Sequence, residues 1–147
     1  MKKFLTAAAL VSSCCLLAAC SSTGTGAAAD EKPVVLEGTS WMMQLPSESD
    51  CAITPMLEFG PDNRVTGDLG CNRASGRIEF DGKNIRFDKV ATTRKMCGKK
   101  YMDLEAQMTN MMANARTVKL DEKGLTFLDS EGRPLMTLVP EVAAACD

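Results

Sequence analysis

The 147-residue chain has no histidine, and only seven of its residues are aromatic: five Phe, one Trp and one Tyr. Without an imidazole, Ser-His-Asp and Cys-His catalysis and His-based zinc sites are excluded, because His is the usual general base, proton shuttle and zinc ligand. A surplus of either charge is also missing. The 17 Lys+Arg against 19 Asp+Glu leave a net charge of −2, which is no footprint for nucleic acid. No phosphate loop, carboxylate dyad or nucleophile-base pair is legible, so the chain reads as non-enzymatic and without a cofactor. Its length allows one ordinary domain. What it does have is cysteine, seven in all. Cytosolic thiols are kept reduced whereas exported domains pair theirs as crosslinks, so the compartment is the first question.

The N-terminus addresses it. Lys2 and Lys3 precede an uncharged stretch, Phe4 to Ala19, rich in Leu, Ala and Val. That is the pattern of an export signal, and it falls short of the about 20 apolar residues that a membrane span needs. Leu17-Ala18-Ala19-Cys20 resembles the bacterial lipobox, in which the cysteine thiol is acylated and becomes the new N-terminus after cleavage. Cleavage after Ala27-Ala28-Ala29 is the alternative, well beyond the apolar region, and an uncleaved anchor is a third. The reading taken is a signal peptide at 1–19 and a lipidated tether at 20–33, held by two or three acyl chains. Ser21, in place of Asp, resembles the outer-membrane sorting pattern, so the expected location is the outer membrane, facing the periplasm. Ser21 to Asp30 has no large apolar residue and reads as a flexible tether. Loss of 1–19 leaves 15 basic against 19 acidic residues, a charge of about −4. No basic stripe for lipid headgroups is expected on that surface. The pairs Arg94-Lys95 and Lys99-Lys100 read as ordinary loop and helix-start charge.

From Val34 the chain reads as short strands separated by turns. Gly38 to Leu45 alternates loosely, and Met56 to Phe59 is followed by Gly60-Pro61-Asp62-Asn63, a turn attributed to Pro and Asn, before Arg64 to Gly67 pairs back. Arg77 to Phe80 and Asn84 to Phe87 flank Asp81-Gly82-Lys83 as the clearest hairpin, with Ile78, Phe80, Ile85 and Phe87 on one face. A further hairpin joins Thr117–Leu120 to Leu125–Leu128, and Asp129 to Gly132 turns the chain into Leu135–Leu138. Between the second and third hairpins, Tyr101, Leu104, Met108, Met111, Met112 and Ala115 recur at three- and four-residue steps. They predict one amphipathic helix over about Lys99–Ala115, covering the sheet. The methionines, Met102 included, are taken as core packing in preference to a soft-metal surface.

Two motifs rise above this background: Val65 to Gly76, containing Gly70-Cys71-Asn72-Arg73, and Ala91-Thr92-Thr93-Arg94-Lys95-Met96-Cys97. With Gly38-Thr39-Ser40-Trp41, the helix and the closing hairpin, they resemble the META domain family over residues 37–139. That family's bacterial members include small heat-shock-inducible envelope lipoproteins. The resemblance implies an α+β fold, a small antiparallel, barrel-like curled sheet covered by a single amphipathic helix. The domain is placed at 34–140, with a C-terminal tail at 141–147. Ala74 departs from the family, which commonly carries an aromatic there. Gly67, Gly70 and Gly76 are expected to permit a bulged or bent strand that ordinary φ angles would not reach. Asn72 is expected to bond the turn backbone, and Arg73 and Arg94 to pair with Asp68 or Glu79. Asn72, Arg73, Thr93 and Arg94 form a possible recognition patch; a purely structural role is the alternative.

Cys14 and Cys15 belong to the signal and Cys20 to the lipid, which leaves Cys51, Cys71, Cys97 and Cys146. Four cysteines in an oxidising compartment allow two disulfides in three connectivities. The motif pair Cys71–Cys97 is the first choice, with Cys51–Cys146 as the remainder. Zinc is disfavoured by wide spacing and the lack of a C-x₂-C knuckle, and a catalytic thiol by the lack of a base. The expected function is envelope stress tolerance or maintenance through an unidentified partner. The alternatives are a pilotin-like binder of an apolar ligand or secretin segment, using a cavity between helix and sheet, and an inhibitor of a periplasmic hydrolase such as lysozyme, using the Leu45–Thr54 loop.

Overall fold

Short polar turns determine how this chain folds back on itself. The computed structural model describes residues 33–45 and 54–141. It contains β1 (Thr39–Met43), β2 (Met56–Phe59), β3 (Arg64–Asp68), β4 (Arg73–Phe80), β5 (Ile85–Thr92), α1 (Lys99–Asn114), β6 (Thr117–Asp121), β7 (Gly124–Leu128) and β8 (Pro134–Pro140). Between β2 and β3 it is Asp62 and Asn63, at φ 57° and 56°, that take the left-handed conformation, while Pro61 opens the turn by accepting from the Arg64 N–H at 3.1 Å. Asn and Asp tolerate that region through their short polar side chains. Between β4 and β5, Gly82 sits at φ 96°. There the Asp81 carboxylate accepts from the backbone N–H groups of Lys83 and Asn84 and from the Asn84 side chain.

The eight strands form one antiparallel sheet in the order β5-β4-β3-β2-β1-β8-β7-β6. Its middle joins the first strand to the last, with Met42 opposite Val139. The sheet curls until its two edges touch at one corner. There Asn84 bridges Thr117, the Ile85 N–H donates to Arg116 O at 2.9 Å, and the Val118 N–H donates to Lys83 O at 2.9 Å. The sheet is not closed: α1, which connects β5 to β6, packs against β5 and β8. This is the expected α+β arrangement, with the barrel left open.

The alternation seen in the sequence fills the interior. Ile78 faces Phe87 and Phe80 faces Ile85 across the β4–β5 hairpin, and Phe87 meets Phe127 of β7 with ring centroids 6.1 Å apart. Trp41 is buried, and its indole N–H donates to Thr39 Oγ1 at 2.8 Å while that hydroxyl bonds Leu36 O. On α1, Leu104, Met108, Met111 and Met112 are all buried in the same core as Leu57 and Leu138. The helix carries no acidic residue in its first turn and no side-chain cap. Its stability therefore comes from this packed stripe, the usual source for a short helix.

The turn into β8 is held by Asp129, whose carboxylate accepts from the Glu131 and Arg133 N–H groups and from Arg133 Nε at 2.8 Å. The Arg133 backbone and side-chain hydrogen bonds hold the Asp129 carboxyl below the usual aspartate range, and the Asn84 and Lys83 bonds do the same for Asp81. A value depressed in the folded state stabilises fully above the unfolded value near 3.9, and that contribution is lost as pH falls through the folded value. Carboxyl NMR titration is expected to place both midpoints below the free aspartate value. Asp129→Asn is expected to flatten the acid limb of the stability profile; an unchanged limb would contradict the assignment.

A candidate functional site around Asn72 and the Cys71–Cys97 bridge

The two sequence motifs meet in space. β3 ends at Asp68 and β4 begins at Arg73, so Leu69 to Asn72 must reverse direction in four residues. The turn is closed by the Leu69 N–H donating to Asn72 O at 2.8 Å and by the Gly70 N–H donating to Asp68 Oδ1 at 3.0 Å. Gly70 sits at φ 110°, and a Cβ there would lie 3.1 Å from both Leu104 Cβ and Tyr101 O of α1. The turn therefore needs glycine for its backbone angle and for direct contact with the helix. The expectation for the other two glycines is corrected. Gly67 and Gly76 have no positive φ; their missing side chains make room for the backbone of Met56 and for Val90. The register shift does fall between Ser75 and Arg77, but the extra residue lies on β5 around Lys89, at φ 49°, opposite Gly76.

Asn72 is 3% exposed and is the one buried polar residue among those described. Its carbonyl Oδ1 accepts from the Thr93 hydroxyl at 2.7 Å and from the Lys95 N–H at 2.7 Å. Its amide Nδ2 donates to Glu105 Oε2 of α1 at 2.8 Å and to Lys95 O at 3.2 Å. All four hydrogen-bonding directions of the carboxamide are thus used, which is what makes a buried polar side chain tolerable. Thr93 adds a second tie: its hydroxyl accepts from the Arg73 N–H at 3.1 Å, and its own N–H donates to Arg73 O at 3.0 Å. A disulfide joins Cys71 to Cys97, with Cα atoms 5.8 Å apart. One short turn, the segment leading into α1, and α1 itself are therefore fastened together.

Of the four residues singled out as a recognition patch, Asn72 and Thr93 spend their polar groups inside this junction, whereas the side chains of Arg73 and Arg94 are exposed. Arg73 Nε lies 3.8 Å from Asp68 Oδ2, and both side chains are solvated, a geometry worth little. The expected pairing of Arg94 is not seen: among the described residues it forms no ion pair with Asp68 or Glu79. The expected bond from the Asn72 side chain to its own turn is not seen: the side chain reaches the backbone of Lys95, 23 residues on, and it is the Asn72 main-chain carbonyl that closes the turn. Ala74, where the META family commonly carries an aromatic, is buried opposite Gly67, and Leu104 lies against the glycine turn. Glu105 was missed altogether, since a glutamate beside an apolar stripe has no distinguishing sequence signal. Cys20, Cys51 and Cys146, and all of the Leu45–Thr54 loop except its two end residues, lie outside the described residues.

Residues 35–141 match the META domain. The chain belongs to the META domain family. This META domain is also similar in fold to an NMR structure of a protein from Burkholderia xenovorans, with a TM-score of 0.59 at 20% identity over 72% of this chain and 83% of that one. A second protein solved by NMR gives a TM-score of 0.55 at 22% identity over 74% and 92% of the respective chains. No curated protein sequence matches the chain. The Asn72 junction lies within the residues that match the META domain, at the end of the sheet where α1 begins.

Proposed function

We propose that this META domain is a non-enzymatic envelope lipoprotein, anchored in the outer membrane through Cys20 and acting in envelope maintenance or stress tolerance by binding a partner. The observation that carries this reading is Leu17-Ala18-Ala19-Cys20, placed directly after an apolar segment and before a polar tether. The Cys71–Cys97 bridge supports it, because a disulfide within a folded domain persists in an oxidising compartment. The pilotin-like alternative needs an open apolar cavity under α1, whereas Leu104, Met108, Met111 and Met112 are buried in the core there. Display of a rigid surface on a tether is the mechanism this reading implies.

The test is metabolic labelling with an alkyne fatty acid, followed by membrane fractionation. The wild-type protein is expected to carry the label and sediment with outer membranes; Cys20→Ala is expected to lose both. A labelled Cys20→Ala variant, or an unlabelled wild type, would refute the anchor. In-cell crosslinking from the anchored protein is expected to return a recurring envelope component, and repeated empty results would refute the partner-binding role.

A further inference from the structure

We propose that Arg94, Lys95 and Met96, with Lys99 beside them, form a membrane-facing contact that lays the domain against an anionic lipid surface. The idea rests on the lipid-anchored reading above but depends on different residues. The segment is held from behind. Thr93 gives its hydroxyl to Asn72, Lys95 gives both backbone groups to Asn72, and Cys97 is bridged to Cys71. What projects outward is the Arg94, Lys95 and Met96 side chains, and Met96 is 90% exposed. The backbone on either side of Met96 is already held, so contact costs little further main-chain ordering, which favours binding by a preorganised segment.

The charge around it argues for the kind of surface. In a domain of about −4, four cations fall between Arg94 and Lys100 with no acidic residue among them. Lys99 and Lys100 occupy the first turn of α1, the positive end of the helix dipole, where cations oppose helix stability. Lys99 is offset by Asp103 at 2.6 Å. These two lysines follow Arg94, Lys95 and Met96 closely in the chain and add to the positive charge of that segment, with Lys99 shared with Asp103.

A protein partner is the less favoured occupant. Protein interfaces need an apolar core within roughly 800 Å² on each side. The other large exposed apolar residues among those described are Val35 and Leu120. Both lie toward the β4–β5 turn, since Val34 bonds Gly82 and Val118 bonds Lys83, at the opposite end of β5 from Met96. Met96 is therefore a lone wedge among cations. A lipid surface accepts that shape: headgroup phosphates take the Arg and Lys termini, and the thioether enters the acyl boundary.

The test uses full-length protein purified from the envelope with Met96→Trp, reconstituted into phosphatidylethanolamine–phosphatidylglycerol vesicles with brominated acyl chains. Phosphatidylcholine vesicles with the same chains, a Leu120→Trp variant and the wild type with its buried Trp41 serve as controls. Bromine quenching of the indole at position 96 is expected to exceed that at 120 by about threefold. It is expected to fall in phosphatidylcholine, in high salt, and when Arg94→Glu and Lys95→Glu are added. Equal quenching at the two positions would overturn the contact. If quenching is absent while the charge reversal abolishes a crosslink to an envelope protein, the surface belongs to an acidic protein partner and the lipid assignment fails. Intact mass of the same samples reports the acyl group separately. Acylated protein without quenching defeats this inference alone; unacylated protein that is quenched defeats the anchor and leaves the contact standing.

Discussion

Replacing Cys71 and Cys97 together by alanine is expected to lower the free energy of unfolding by about 3.5 kcal/mol and the melting temperature by roughly 15 °C. The first figure follows from the separation of 26 residues between the two cysteines, through the entropy that the crosslink removes from the unfolded chain. Set against the 5–15 kcal/mol that usually separates folded from unfolded domains, this is a large share. The folded state is affected too. The bridge joins the turn before β4 to the segment that launches α1, a helix with no capping side chain at its start. Both cysteines are replaced because a single substitution leaves a thiol free to mispair with Cys51 or Cys146. Denaturant and thermal unfolding of wild type and double variant would measure the difference. A loss under about 1 kcal/mol would mean that the Asn72 hydrogen bonds alone hold the junction, in conflict with the chain-entropy account.

Local patterns carried much of this architecture. The β4–β5 and β6–β7 hairpins were readable because Asp81-Gly82 and the Asp121-to-Gly124 span sit between alternating strands, and the helix because its apolar residues recur at helical spacing. The pairing of β1 with β8 was not readable, since nothing in Trp41-Met42-Met43 identifies a strand nearly 100 residues later. Glycine showed the same division. A positive φ could be anticipated at Gly70 and Gly82, but the close approaches at Gly67 and Gly76 depend on backbone from β2 and β5. At the site, Cys71 and Cys97 were linked by their motifs, yet two of the four side-chain bonds of Asn72 go to the backbone of Lys95. Any residue supplies those groups, so residue identity holds no trace of them. Met96 was legible only as part of a motif; its exposure follows from the inward anchoring of Thr93, Lys95 and Cys97.

The sharpest test of that junction is Asn72→Asp, which is expected to be nearly silent in mild acid and to cost about 3–4 kcal/mol at neutral pH. The substitution keeps an oxygen to accept from Thr93 and Lys95 but replaces the amide N–H₂ with a second oxygen. That atom would face Glu105 Oε2, now 2.8 Å from Nδ2, and Lys95 O, now 3.2 Å away. Three acceptors would then converge without a proton. The folded variant relieves this by retaining a proton on the new carboxyl or on its neighbour, which raises the apparent folded-state value of the pair by roughly 2–3 units above the unfolded one. Between those values the folded state binds more protons than the unfolded, so stability falls as pH rises. The loss begins above about pH 4 and levels off once the folded pair has titrated. Asn72→Ala would instead give a loss of about 2 kcal/mol that does not vary with pH, from the unpaired Lys95 N–H and its neighbours. Adding Glu105→Gln to Asn72→Asp is expected to restore a donor and remove most of the pH dependence. Urea unfolding across this range decides the matter: a flat profile for Asn72→Asp would show that Asn72 and Glu105 are not coupled, and that α1 is not fastened to the glycine turn through this side chain.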